Sequence, residues 1–166
     1  MPRVIVCDVI ETLLDVAALE PDFKGVSGDA RILQDWFATV LLYSEVATLA
    51  GPYTDFASIA RAALDMTATA RNVTVSPANR TRILQGMLTL PAHADVRDGL
   101  QIMRDAGLRL VTLTNSAPAA VQQQLTSAGL WRSMALSTAS RTRSPGATAR
   151  DGPRDPAPRP GRVACV

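Results

Sequence analysis

The sequence predicts an α/β fold with a small parallel sheet, an inserted helical cap and a disordered C-terminal tail. Two short apolar runs, at 4–7 and 108–113, have the composition of buried strands. The first run suits a strand that is covered on both faces. Each run ends at polar residues, as strands of a parallel sheet do where a ligand-binding crevice forms. Between the runs, apolar residues recur at helical spacing instead.

Three helices are predicted between the strands, and they form a cap over residues 15–90. The first covers 30–50. Its predicted buried face consists of Leu33, Trp36, Phe37, Val40, Leu41, Ser44 and Ala47. Thr54 or Asp55 can cap the second helix, and the dipeptide Ser76-Pro77 is typical of the start of the third.

Two further helices are each followed by a glycine, Gly107 or Gly129, as suits a helix C-terminus. The first of them covers 95–106 and leads directly into the second strand. Helix, glycine and buried strand in this order indicate a parallel α/β core. We therefore assign residues 1–14 and 91–136 to the core.

The composition changes abruptly at residue 137. Residues 137–166 contain five of the eleven prolines and six arginines, and few apolar side chains other than alanine. Such a segment buries too little apolar surface to offset the entropy lost on ordering. It is predicted to be a disordered tail.

Bulk composition excludes several classes of function. The net charge of +2 is too small to indicate a nucleic-acid partner. No run of about 18 apolar residues is present, so no membrane span is expected. Cys7 and Cys165 lie in unlike contexts, which fits a reducing compartment. The N-terminal apolar run stops at an acid and does not follow the pattern of a signal peptide. We expect a cytoplasmic protein.

The most informative residues are Asp8, directly after the first strand, and Thr12, four positions later. A fixed and partly desolvated carboxylate can act as a nucleophile, and a nearby hydroxyl can orient it. The alternative is an aspartate that only caps the turn after a strand. Taken alone, the pair favours this alternative.

Four segments with a recognisable pattern follow one another along the chain. DVIETLLD contains Asp8, WFATVLLYSEVATLAGPYTDF begins at Trp36, LPAHADV ends at Val96, and LRLVTLTNS ends at Ser116. In this order they resemble the haloacid dehalogenase superfamily, and in particular its 2-haloacid dehalogenase branch. The resemblance covers about residues 3–136. It implies a Rossmann-like core into which a helical cap is inserted.

The resemblance implies a hydrolase that releases halide from a small 2-haloalkanoic acid through an aspartyl ester. Asp8 is then the nucleophile, and Thr12 orients it. Thr114 and Asn115 bind the carboxylate of the substrate. At one position in the cap, the resemblance implies a halide-binding arginine in the dehalogenases. This chain has Phe37 there, and its ring can only line the pocket.

The resemblance implies an aspartate two positions after Asp8 in the phosphatases of the superfamily, where it serves acid catalysis and magnesium binding. This chain has Ile10 there instead. An alkyl side chain does neither, whereas halide displacement needs neither group at this position. We therefore expect no metal and no cofactor. His93, the only histidine, is interpreted as a cap of the helix that starts near Ala94, and Glu11 as a turn residue.

The family pattern stops after residue 136. The resemblance implies a lysine and acidic residues beyond LRLVTLTNS, the second motif of the superfamily. The one lysine is Lys24, in the predicted loop that enters the cap. This departure favours an alternative, a non-catalytic remnant that is C-terminally truncated or frame-shifted. The expected partners are a small carboxylate substrate and, through the cap, a second copy of the chain.

Overall fold

The computed structural model describes residues 3–50 and 54–134 of the chain. Their elements follow one another as β1 (Val4–Cys7), α1 (Glu20–Ser27), α2 (Ile32–Ala50), α3 (Phe56–Ala70), α4 (Pro77–Gly86), α5 (Val96–Asp105), β2 (Arg109–Thr112) and α6 (Pro118–Ser127). Short 3₁₀ helices cover Val16–Leu19 and Trp131–Ser133. The predicted tail, Cys165 and the limit of the core at residue 136 lie outside the described residues.

β1 and β2 form a two-stranded parallel sheet, which confirms the predicted α/β class. In the register of the sheet, Val4 pairs with Arg109 and Cys7 pairs with Thr112. Just beyond the strands, the Leu113 N–H donates to the Cys7 carbonyl at 2.9 Å. The carboxyl ends of both strands therefore lie at one edge of the sheet.

The first strand is less buried than its sequence predicts. Val4 and Val6 are 38% and 44% exposed, so the prediction that β1 is covered on both faces is wrong. Ile5 is half-buried and Cys7 is buried. The reason is that, among the residues the structure describes, β2 is the one strand beside β1, and the face carrying Val4 and Val6 is left largely uncovered.

The helices between the strands share a well-packed apolar core. Trp36 of α2 is completely buried, and its indole N–H donates to the Ala60 carbonyl of α3 at 2.9 Å. The ring of Phe23, from α1, lies 5.1 Å from the Trp36 ring, measured between centroids. Burying large aromatic surfaces and satisfying the indole donor stabilises the packing of these three helices.

One cap helix is not anticipated by the sequence analysis. Lys24 was expected in a loop, but it lies in α1 and is exposed. Local features favour this helix, because Pro21 stands at its start and acidic side chains, Glu20 and Asp22, occupy its first turn. Gly28 ends it in the left-handed conformation at φ +75°.

Two further sequence interpretations need correction. The sequence pattern places Leu41 on the buried face of α2, but Leu41 is 46% exposed. The buried side chains of α2, which include Trp36 and Val40, lie on a narrower face that does not include it. The helix after His93 begins at Val96, and the His93 carbonyl, rather than its side chain, accepts the Val96 N–H at 3.2 Å.

Other helix ends form as the sequence predicts. Asp55, rather than Thr54, caps α3, and Ser76 caps α4 ahead of Pro77. Gly107, after α5, has a positive φ of +73°. Across 3–50 and 54–134, no helix is both long and apolar enough to cross a membrane.

Candidate active site

The parallel sheet brings the two predicted motifs together. Asp8 follows β1 directly, and Thr114 comes two residues after β2. Because Cys7 and Thr112 are paired and the strands are parallel, both motifs leave the same edge of the sheet. This edge is where open α/β sheets bind their ligands.

The turn that carries Asp8 is rigid. The Val9 carbonyl accepts the N–H groups of Leu13 and Leu14, both at 2.9 Å. Val9, Leu13 and Leu14 are all buried, so their side chains anchor the turn to the core. The functional groups of Asp8 and Thr12 remain at the exposed side of this turn.

Asp8 and Thr12 lie close together on this turn, and that Thr12 orients Asp8 remains a prediction. The Thr12 side chain and the Val9 N–H lie near enough to the Asp8 carboxylate to lower its pKa as hydrogen-bond donors. Although the Asp8 side chain is exposed, partial desolvation of its carboxylate raises its pKa above the usual value, and Val9 and Thr12 act in the opposite direction. Of the basic side chains that the structure describes, none contributes to this shift.

The second motif combines a buried and an exposed polar residue. Thr114 is buried, and its hydroxyl oxygen accepts the Ser116 N–H at 3.2 Å. Its hydroxyl proton remains available to donate to a ligand. Asn115 is exposed and Ser116 is buried. The proposed carboxylate-binding roles of Thr114 and Asn115 remain predictions.

Phe37 lies on α2, beside the buried apolar core. It is half-buried, and its ring centroid is 6.4 Å from that of Trp36. Its ring packs against the apolar core. That Phe37 lines a substrate pocket remains a prediction.

A cavity of about 390 Å³ lies where cap helices α3 and α4 meet the start of α6. Its lining includes Arg61, Arg80, Ser116 and Gln124, but not Asp8. It therefore adjoins the second motif rather than the nucleophile.

Gln124 is a buried polar residue that the sequence reasoning missed. Its amide N–H₂ donates to the Met87 carbonyl at 2.8 Å, and its Oε1 is buried without a hydrogen-bond partner. It shares the buried stripe of α6 with Val121, Leu125 and Ala128. A polar residue at this spacing within an apolar stripe is the sequence feature that could have identified it.

Three potential metal ligands come together beside the nucleophile turn. They are Glu11, Asp15 and His93, each of which offers one ligand atom, and these atoms all lie within 4.8 Å of one another. The sequence analysis treated Glu11 and His93 separately, because the chain separates them widely and no ligand-spacing motif connects them.

Comparison with known proteins gives a consistent family likeness. The (S)-2-haloacid dehalogenase of Pseudomonas putida is 30% identical over 126 residues, which are 74% of this chain and 55% of that protein. No protein-family model matches the chain.

Solved structures show the same likeness to dehalogenases. The crystal structure of a dehalogenase has a TM-score of 0.75 and 25% identity, covering 81% of this chain and 60% of its own. L-2-haloacid dehalogenase from Xanthobacter autotrophicus has a TM-score of 0.72 and 29% identity, covering 81% and 55%. A structure of that enzyme with covalently bound chloropropionic acid has a TM-score of 0.72 and 28% identity, with the same coverage.

The chain has an α/β fold similar to that of the haloacid dehalogenases. Its likeness is to the 2-haloacid dehalogenase branch, which confirms the resemblance found in the sequence. The chain spans about half the length of the curated relative that it matches.

Proposed function

We propose that this chain carries the nucleophile and the carboxylate-binding motif of a hydrolase that acts on small 2-haloalkanoic acids. The observation that supports the proposal is the position of Asp8 directly after β1, near the Thr12 hydroxyl and the Val9 N–H, which both act to lower its pKa. A similar structure, 28% identical, contains chloropropionic acid bound covalently to the dehalogenase.

The proposed reaction has two steps. A carboxylate oxygen of Asp8 forms a bond to C2 of the substrate as the carbon–halogen bond breaks, and the halide leaves with the bonding electrons. Water then adds to the carbonyl of the aspartyl ester. This step releases a 2-hydroxy acid and a proton and regenerates the Asp8 carboxylate.

Each of the other proposed residues has a separate part in this reaction. Thr12 orients the attacking oxygen of Asp8. The hydroxyl of Thr114 and the amide of Asn115 donate hydrogen bonds to the substrate carboxylate, which places C2 before the nucleophile. Phe37 contributes apolar surface to the substrate pocket from the cap. No step requires a metal or a cofactor.

The charge balance at Asp8 favours a second candidate, a non-catalytic remnant of such an enzyme. A nucleophilic carboxylate must stay ionised, yet burial raises the pKa of Asp8. An anionic substrate adds further repulsion. The one lysine, Lys24, lies exposed on α1, before the second motif in sequence. We therefore expect turnover by this chain to be at or near background.

The two candidates differ in whether Asp8 reacts. The full chain and the Asp8→Asn variant are incubated with 2-chloropropionate, and chloride release and intact protein mass are measured. Chloride release above the variant, or one carboxyethyl adduct that maps to Asp8, supports the proposed reaction. Equal chloride release without an adduct in either protein leaves the non-catalytic remnant.

The cap also supports a proposed contact with a second copy of the chain. Five large apolar or aromatic side chains are exposed on α2, and we name them the α2 patch: Leu41, Leu42, Tyr43, Val46 and Leu49. Leu42, Val46 and Leu49 recur at helical spacing, so they share one face. Exposed apolar side chains that share a helix face are typical of an interface.

A further inference from the structure

The backbone holds His93 opposite the turn that follows the nucleophile. The Asp15 N–H donates to the Pro91 carbonyl at 2.9 Å, and the His93 N–H donates to the Leu13 carbonyl at 3.1 Å. Between these bonds, Leu14 and Ala92 form an antiparallel bridge. Because these two hydrogen bonds tie the segments together on both sides of the bridge, they hold the His93 backbone beside this turn.

His93 has a ring nitrogen that this structure does not satisfy. Its Nε2 atom is buried and has no hydrogen-bond partner among the described residues. A buried imidazole nitrogen is normally paired with a donor, an acceptor or a metal ion. One nitrogen of His93 and one carboxylate oxygen each of Glu11 and Asp15 lie within 4.8 Å of one another.

Both carboxylates are oriented by backbone groups. One Glu11 oxygen accepts the Val16 N–H at 2.8 Å, and one Asp15 oxygen accepts the Ala17 N–H at 2.9 Å. Each hydrogen bond uses one oxygen and leaves the other available. Hydrogen bonds of this kind commonly orient metal ligands in proteins.

We propose that Glu11, Asp15 and His93 bind a divalent transition-metal ion such as Zn²⁺. Two carboxylates and one imidazole provide the mixed nitrogen and oxygen donors that such ions prefer, whereas Mg²⁺ and Ca²⁺ favour oxygen alone. The two negative charges balance a divalent cation. Glu11 is exposed, so water has access to the remaining coordination positions.

The spacing of the three ligand atoms suits this ion. Zinc bonds to nitrogen and oxygen are about 2.0–2.2 Å, so two ligand atoms of one ion lie at most about 4.4 Å apart. The three ligand atoms lie within 4.8 Å of one another, so small side-chain rotations are enough to bring them to one ion. The bound ion ties the nucleophile turn to residues 91–93. This role is independent of the dehalogenase reaction.

Titration of the chelator-treated full chain with Zn²⁺ tests the proposal. We expect one ion to bind per chain by calorimetry, with a rise in the melting temperature. Binding should weaken at least about tenfold in His93→Gln, as expected when a metal site loses a ligand. Asp98→Asn is the matched control, because Asp98 is exposed on α5 and outside the cluster. Absence of saturable binding, or an equal loss in Asp98→Asn, overturns the proposal.

Glu11→Gly gives a second test that does not depend on how His93→Gln folds. Glu11 has a φ of +65°, a backbone conformation that glycine adopts without strain. The variant should therefore keep the circular dichroism spectrum of the parent chain while it loses a metal ligand. Unchanged Zn²⁺ affinity in folded Glu11→Gly rules out the proposed site.

Discussion

At the scale of single residues, the motif around Asp8 and the burial of its carboxylate change its pKa in opposite directions. The motif supplies a hydroxyl and a backbone N–H, which stabilise the carboxylate. Burial destabilises the same charge and prevails, so the pKa of Asp8 is raised. The carboxylate therefore lowers the stability of the fold at neutral pH while it remains available as a nucleophile.

We expect Asp8→Asn to raise the melting temperature at pH 7. The folded-state pKa of Asp8 lies above its unfolded value, so its ionisation lowers stability as pH rises through that window. The amide of asparagine carries no charge, while its oxygen still accepts from Thr12. The gain should therefore disappear below the ordinary aspartate pKa of about 3.9.

Melting curves from pH 3 to pH 8 measure this effect. Glu45→Gln removes a carboxylate from the exposed surface of α2 and serves as the control. A gain for Asp8→Asn that is as large at pH 3 as at pH 7 would show that charge burial is not its cause.

At the scale of secondary-structure elements, helix ends follow local chemistry. Asp55 and Ser76 each accept a backbone N–H from the first turn of their helix, at 2.9 Å and 3.2 Å. These bonds lie within three residues of the cap, so the sequence predicts them directly. The start of α1 is harder to predict, because Leu19 precedes this helix and no side chain caps it.

We expect Asp55→Ala to lower the free energy of unfolding by about 1 kcal/mol at pH 7, the typical effect of losing an N-cap. Hydrogen bonds from Ser58 lower the pKa of Asp55 below its usual value. Its contribution is therefore complete above the unfolded aspartate pKa of about 3.9 and is lost as pH falls through the lowered folded-state pKa.

Urea unfolding at several pH values measures this contribution. Asp55→Asn keeps a side-chain acceptor and should be close to the parent chain at pH 7. Thr54→Ala changes the neighbouring exposed residue and should have little effect. An Asp55→Ala variant as stable as the parent would contradict the assignment of this cap.

At the scale of the whole molecule, exposed apolar surface is concentrated on two elements. β1 exposes Val4 and Val6, and α2 exposes the α2 patch, in which Leu49 is 86% exposed. Exposure on β1 follows from the small number of strands beside it in the described ranges. The α2 patch instead faces away from the packed helices of the cap.

We expect the chain to form a dimer through the α2 patch, and Leu42→Glu to weaken that dimer at least about tenfold. In a symmetric dimer each substitution acts twice, since both copies place a carboxylate in the apolar contact. Leu42 is 56% exposed, so the fold of the single chain should be little changed.

Sedimentation equilibrium of the parent chain and the variant measures this change. Gln34→Glu, an exposed substitution on the same helix, introduces the same charge outside the patch and is the control. A parent chain that is monomeric at every concentration would refute the proposed contact.

The sequence by itself determined the features that depend on neighbouring residues. It identified the two strands, the helix starts at Thr54 or Asp55 and at Ser76, and the placement of Asp8 and Thr114 after the strands. Each of these results from side-chain chemistry, or from periodicity within a few positions along the chain.

Only the tertiary structure decided the features that depend on distant residues. It placed His93 against Glu11 and Asp15, left Gln124 Oε1 buried and unpaired, and exposed Val4 and Val6 on a strand that reads as fully buried. Burial and contact depend on which segments pack together. That packing joins residues far apart in the chain, so no local pattern in the sequence contains it.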